Sequence, residues 1–461
     1  MMQWRRFYTR EVTPVRVILL GYLILVLVGT LLLTLPYAST HSGGEKRVSL
    51  IDSLFTATSA VCVTGLIVRD TEYDFSLFGK SVILLLVQVG GLGYMTISTI
   101  ILVFLGKKIS LRQRLVIKEG FKQFSLEDIA KFTSRVFQVT ILIEAVGFFV
   151  LFFAFLKDFS WQKSFGVSIF HSVSGFCNAG FSAFSNNLQD YAGNFLIVLT
   201  VAALFILGGL GFFSFGDLYN TYMRRKTKRL SLHTKLVLRI TALLIFGGTA
   251  VILVMEWHKG LSDFPAHTKV LTAFFSAVTP RTAGFSLVNL RNFALGTSLL
   301  LVFFMFIGAS PGGTGGGIKT TTFAVLVNTL RGLRKGGEMI VYGRRISEPS
   351  VRNALLVFLW GIFIVGLGSL ILAISEVEVA GRSGYVGMLF EQVSAFGTVG
   401  LSLGSTVKAN VSLSHEFSPL GKFIIVATML SGRIGPLTIG SALLGVKRPK
   451  VRYPEAKIMI G

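Results

Sequence analysis

The sequence predicts an all-α polytopic membrane protein of four tandem units, each a spanning helix, a re-entrant half-helix, an extended glycine loop and a second spanning helix. Three observations predict it. The 461 residues are 52% hydrophobic and only 15% charged, with a mean hydropathy of +0.69, whereas soluble chains carry about a quarter of their residues charged. Long apolar runs recur, beginning with residues 17–35, 82–105, 136–156 and 195–215, and about 20 helical residues cross a hydrocarbon core. A stretch ending in glycine plus a bulky apolar residue occurs four times: SAVCVTGL from Ser59, SGFCNAGFS from Ser174, SAVTPRTAGFS from Ser276 and SAFGTVGLS from Ser394.

The first apolar run is too long for a removable leader and lacks a small-residue cleavage site, so it is read as a retained helix. The repeat glycines are Gly65, Gly180, Gly284 and Gly400, spaced 115, 104 and 116 residues apart. They divide the chain into units at 1–105, 106–216, 217–330 and 331–461. Before each glycine lies an apolar segment of about a dozen residues, such as 51–61 or 163–176, too short to span as a helix. It is therefore re-entrant, with one long run before it and one after. The count becomes eight spanning helices and four re-entrant pore helices.

Extended backbone at membrane depth survives only where protein buries it or where it lines an aqueous cavity. Four such loops belong around one pseudo-fourfold pore, where backbone carbonyls replace the hydration shell of a cation and helix C-termini add partial negative charge. The expected filter residues are Val63, Thr64 and Gly65; Asn178, Ala179 and Gly180; Thr282, Ala283 and Gly284; and Thr398, Val399 and Gly400. Thr64, Asn178, Thr282 and Thr398 are taken as matching wall residues, with one residue of offset in the first unit.

The net charge of +23 points elsewhere than to nucleic acid. Of 45 Lys and Arg residues, 30 fall in segments 1–16, 106–135, 217–239, 331–352 and 446–461. These alternate with pairs of spans, so they share one side and the positive-inside rule makes it, with both termini, cytoplasmic. Cys62 and Cys177 form no disulfide framework or zinc spacing, and six scattered histidines show no HExxH pair. The alternative of an intramembrane enzyme lacks a triad or metal cluster.

In these marks the chain resembles the Trk/Ktr/HKT superfamily of potassium transporters, and is most similar to the membrane subunit of bacterial Ktr systems. The marks are the loops VTGL, NAGF, TAGF and TVGL, the SAVTPRTAGFS stretch, SGRIGP at 431–436 and RYP at 452–454. The resemblance covers essentially the whole chain. It implies potassium uptake across the bacterial cytoplasmic membrane, a homodimer, and a cytoplasmic ring of RCK-type nucleotide-binding regulatory subunits. Sodium-carrying plant-type members have serine at the first filter glycine; Gly65 here favours potassium, with sodium as alternative cargo, coupled ion or activator.

Two features read as a gate. The closing span of the third unit breaks at GASPGGTGGGIKTTT, residues 308–322, because each glycine costs about 1 kcal/mol of helix stability and Pro311 removes a hydrogen bond. Gly312, Gly313, Thr314, Gly315, Gly316 and Gly317 thus form a loop beneath the filter, matching the family's intramembrane gating loop. The spacing is not that of a phosphate-binding GxxxxGK[ST] motif. Arg433 sits mid-span, where a charge faces a cavity or a partner; it is either an electrostatic barrier or a tie to backbone carbonyls. Lys319 is expected to snorkel, Glu144 to have a structural partner, and Arg281 to form a salt bridge or shape the outer mouth.

Overall fold

A computed structural model describes residues 14–40, 48–93, 129–225, 229–333 and 340–435. Its helices come in order as α1 (Pro14–Thr34), α2 (Leu50–Val61), α3 (Leu77–Leu92), α4 (Ile129–Phe155), α5 (Trp161–Phe176), α6 (Phe195–Leu210), α7 (Phe212–Leu218), α8 (Leu232–Glu256), α9 (Ala266–Val278), α10 (Leu295–Phe306), α11 (Thr320–Leu333), α12 (Glu348–Ser375), α13 (Val377–Gly397) and α14 (Pro419–Ile434). The long helices α1, α4, α8 and α12 turn apolar side chains outward. Leu27 and Leu31, Leu142 and Phe153, Phe246 and Val254, and Leu359 and Ile374 are all exposed. In water such surface would be a liability; against lipid tails it is the matching solvent.

Among the described residues four helices are long and apolar enough to cross a bilayer, Val17–Thr34, Thr133–Phe155, Leu232–Glu256 and Glu348–Ser375, or five if the bent pair Phe195–Leu210 and Phe212–Met223 is one span. The other expected spans are shorter helices among the described residues, and residues 94–105 of the expected run 82–105 lie outside them. The closing helices α3, α6, α10 and α14 have 16, 16, 12 and 16 residues. Three of them stop at a glycine in the left-handed region, Gly93, Gly211 and Gly435 at φ 79°, 88° and 94°, a conformation that costs L-residues about 1–2 kcal/mol. The apolar run 195–215 is accordingly not one helix. It ends at Leu210, and Phe212–Met223 leaves at 94° to it.

The starts of these helices follow from local chemistry. Ser76, Asn194 and Ser418 accept hydrogen bonds from the backbone N–H groups of Gly79, Ile197 and Gly421 at 3.2, 3.2 and 3.3 Å, as N-cap side chains do. α10 begins at Ala294 without such a residue, and Glu256 substitutes by accepting from the Ala294 N–H at 2.9 Å. Each closing helix packs against the short helix of the next set: α3 on α5, α6 on α9, α10 on α13, and α14 back on α2. The chain is not wholly helical. Ile340–Val341 and Arg344–Arg345 pair as an antiparallel hairpin, turned by Tyr342 and Gly343 at φ 50° and 72°, the two-residue turn that matches strand twist. Basic segments 1–13, 106–128 and 446–461, the RYP at 452–454 and Pro436 of SGRIGP lie outside the described residues.

Candidate functional site: a ring of four glycine turns over a glycine-rich loop

Each short helix, in α13 the part after the break at Gly384 (φ 70°), ends in the same backbone figure. Val63, Asn178, Thr282 and Thr398 are left-handed at φ 57°, 60°, 72° and 49°, and the glycine two residues later is left-handed again at 91°, 68°, 75° and 88°. The residue of the first unit that matches Asn178, Thr282 and Thr398 in backbone is therefore Val63, not Thr64, and no offset is needed. Helix termination follows, because a left-handed residue cannot continue the ladder. All twelve filter residues expected from sequence come together here. The side chains of Val63, Thr64, Asn178, Ala179, Thr282, Ala283, Thr398 and Val399 are fully buried.

The four glycines close a ring in chain order. A Cβ on Gly180 would stand 2.8 Å from the Gly284 Cα, on Gly284 3.4 Å from the Gly400 Cα, on Gly400 2.9 Å from the Gly65 Cα, and on Gly65 3.0 Å from the Gly180 Cα. The carbonyl oxygens of Thr64, Ala179, Ala283 and Val399 press on the neighbouring glycines. No side chain other than hydrogen fits. A buried hydroxyl fixes each turn. Ser59 and Ser394 accept from the N–H groups of Gly65 and Gly400 at 3.0 and 3.1 Å, while Ser174 and Thr279 donate to the carbonyls of Phe181 and Phe285 at 2.6 Å each. In the third unit Thr279, not Ser276, does this work. Above the ring opens a vestibule of about 190 Å³ lined by the four glycines, Thr71, Ser182, Asn187 and Ser402 among others.

A model of the TrkH family, "Cation transport protein", matches residues 9–447. The chain belongs to this family. Among curated TrkH-family relatives, "Ktr system potassium uptake protein B" of Bacillus subtilis is 36% identical, covering 100% of this chain and 98% of its own. "Potassium/sodium uptake protein NtpJ" of Enterococcus hirae is 35% identical, with 98% of each chain covered. The crystal structure of the potassium transporter TrkH from Vibrio parahaemolyticus shares the fold, at a TM-score of 0.72 and 18% identity over 94% of this chain and 86% of that one. The chain is thus a multi-pass membrane protein of a transporter family.

Beneath the ring of this TrkH-family chain lies the 308–319 segment. It leaves and returns at one place, since Ile307 and Ile318 form a parallel bridge and the Gly308 N–H donates to the Ile318 carbonyl at 2.8 Å. Between them it reaches the inner side of three turns. Thr314 Oγ1 donates to Asn178 Oδ1 at 3.1 Å, the Gly316 N–H donates to Thr398 Oγ1 at 2.9 Å, and a Cβ on Gly315 would strike the Thr282 side chain. The Thr314 and Gly317 N–H groups donate to the carbonyls of Gly208 and Gly432 at 3.2 and 3.3 Å.

Arg433 donates to the carbonyls of Thr314 and Gly90, and to that of Gly91 at 3.4 Å. The guanidinium thus ties α14 and the end of α3 to the loop. Lys319 does not snorkel: its Nζ turns back to the Gly315 carbonyl at 2.6 Å. Arg281 is buried, donating to Thr241 Oγ1 on α8 at 3.2 Å, and among the described residues no carboxylate pairs with it. Glu144 has the structural partner expected, accepting from Gln88 Nε2 at 3.2 Å, with Cys177 Sγ 3.9 Å away.

Proposed function

We propose that this chain takes up potassium across a bacterial cytoplasmic membrane through the ring of glycine turns, which serves as its selectivity filter. The observation that carries the reading is the closed ring itself, with four equivalent carbonyls around one axis and four helix C-termini directed toward it. Such an arrangement replaces ion hydration by carbonyl oxygen and disfavours anions. The four sets of helices correspond to repeats 1–105, 106–216, 217–330 and 331–461, each crossing the membrane twice, with both termini cytoplasmic. Residues Gly312–Gly317 are the gate, opened by a cytoplasmic RCK-type regulatory subunit ring, and two copies of the chain form the membrane unit. No catalytic chemistry is assigned to it.

The name of the Bacillus subtilis relative, a potassium uptake protein, supports potassium. That of NtpJ, which includes sodium, supports a second reading in which sodium permeates or is coupled on the same scaffold. Reconstitution into liposomes separates them. Flux is expected to run potassium and rubidium well ahead of sodium and lithium, and to be independent of external sodium. Equal sodium and potassium flux, or potassium flux that vanishes without sodium, would transfer the assignment to the second reading.

Arg433 acts as both tie and barrier in this reading. A fixed positive charge about 4 Å from a passing cation is worth on the order of 4 kcal/mol at an effective dielectric near 20, reduced by water in the cavity. Arg433→Ala is expected to raise rubidium uptake by roughly threefold to tenfold, and Arg433→Lys less, because an ammonium cannot fork to two helices and the loop. Uptake no higher than wild type, with detergent-solubilised stability reduced, would leave only a structural tie.

A further inference from the structure

Asn178 differs from the other left-handed residues of the ring, Val63, Thr282 and Thr398, in carrying an amide. That amide does not face open space. It is fully buried; its Oδ1 accepts from Thr314 Oγ1 at 3.1 Å, and its Nδ2 donates to Thr282 Oγ1 at 3.3 Å and to the Arg281 carbonyl at 3.5 Å. Helix α6 makes room for it, since a Cβ on Gly208 would stand 2.7 Å from Oδ1 and one on Gly209 3.5 Å from Nδ2. Thr314 spends its hydroxyl on the same corner, also reaching the Phe176 carbonyl at 3.3 Å. The first turn has only the isopropyl group of Val63 at the corresponding place and the Thr282 hydroxyl accepts from Asn178, so the loop's hydrogen bonds to these four side chains go to the second and fourth turns.

We infer that the Asn178 side chain is a positioning residue that latches the glycine-rich loop shut, so that the second filter turn is at once part of the ion path and the catch of the gate. This rests on the reading of the ring as filter and the loop as gate. The physical argument is one of linkage. A loop that hydrogen-bonds to the filter in the closed state stabilises the filter backbone it touches, and the filter stabilises the loop to the same extent. Asparagine is the residue suited to the post, because it tolerates the left-handed backbone and offers donor and acceptor on a short stem. Threonine at Thr398 gives one acceptor to Gly316, whereas the Asn178 amide joins the loop, the third turn and the adjacent backbone.

Asn178→Gly removes the amide and leaves the left-handed turn unstrained, while Thr314→Val removes the partner hydroxyl with little change of shape. Rubidium and sodium fluxes of the full chain in liposomes, without a cytoplasmic partner, are measured for both variants, for the double variant and for the deletion of residues 312–317. Each single change is expected to raise rubidium flux by roughly twofold to tenfold, the range for one lost buried hydrogen bond. The double variant should do no better than the better single one, and the rubidium-to-sodium ratio of Thr314→Val, whose side chain lies outside the ring, should stay within about twofold of wild type. A rise that multiplies in the double variant, or a collapse of the ratio in Asn178→Gly with flux unchanged, would overturn the latch. So would wild-type flux in Thr314→Val while the deletion raises flux, because the gate would then stand without this catch. If the deletion also fails to raise flux, the gate reading fails and takes the latch with it.

Discussion

Removal of residues 312–317 is expected to raise rubidium entry into liposomes by roughly tenfold or more in the absence of any cytoplasmic partner, with little change in ion preference. The excision takes away both loop contacts with the ring, Thr314 to Asn178 and Gly316 to Thr398, together with the Thr314 carbonyl that Arg433 holds. Charge-assisted and buried hydrogen bonds of this kind contribute about 1–3 kcal/mol each, and 1.4 kcal/mol is a factor of about ten in a closed-to-open equilibrium. The chain tolerates the cut because the excursion begins and ends beside the Ile307 to Ile318 bridge, so shortening it moves neither α10 nor α11 far. Carbonyls of the ring are untouched, which is why preference should survive. A folded deletion variant with no flux would give the loop a supporting role in the pathway, and gain of flux with loss of preference would move the filter down to the loop.

Replacing a ring glycine should do the reverse. Gly284→Ser places a Cβ about 2.9 Å from the Gly180 Cα and against the Val399 carbonyl, at a residue with φ 75°. The left-handed conformation costs an L-residue about 1–2 kcal/mol and overpacking a rigid site about 1–3 kcal/mol more. Because the neighbour is backbone, the ring itself must spread, and the expected result is at least about a tenfold fall in potassium affinity or in potassium-over-sodium preference. Membrane insertion should be unaffected, since that depends on the outward apolar faces of α1, α4, α8 and α12. Gly65, Gly180 and Gly400 carry the same expectation. Wild-type affinity and sodium exclusion in all four serine variants would remove the ring from the ion path.

The four glycine turns were legible because each needs a residue type that little else explains: a glycine where backbones converge, at a fixed distance behind a short apolar segment. The loop at 308–319 was legible for the same reason, since so many glycines and a proline have no use inside a helix. A second fourfold signature is also written in the chain, GGLG at 90–93, GGLG at 208–211, MFIG at 305–308 and GRIG at 432–435. Read beside the first, it would have placed the helix ends at Gly93, Gly211 and Gly435 and put Arg433 in register with Gly91 and Gly209. Hydropathy averages pass straight over these glycines, so the span through residues 195–215 looked unbroken.

Sequence alone determined the membrane class, the fourfold recurrence and the residues of the ring and loop, because composition, period and glycine placement are local properties of the chain. Only tertiary structure decided what each residue meets. That Val63 stands where Asn178 does, that Thr279 takes over from Ser276 and that Lys319 bends back to Gly315 depend on how the backbone turns locally, and that Asn178 holds Thr314 depends on a contact between residues 136 positions apart. Neither is encoded in a pattern of residue types. Packing of α14 back on α2 closes the ring of four turns, and it is that closure that lets a residue of the ring touch a residue of the glycine-rich loop.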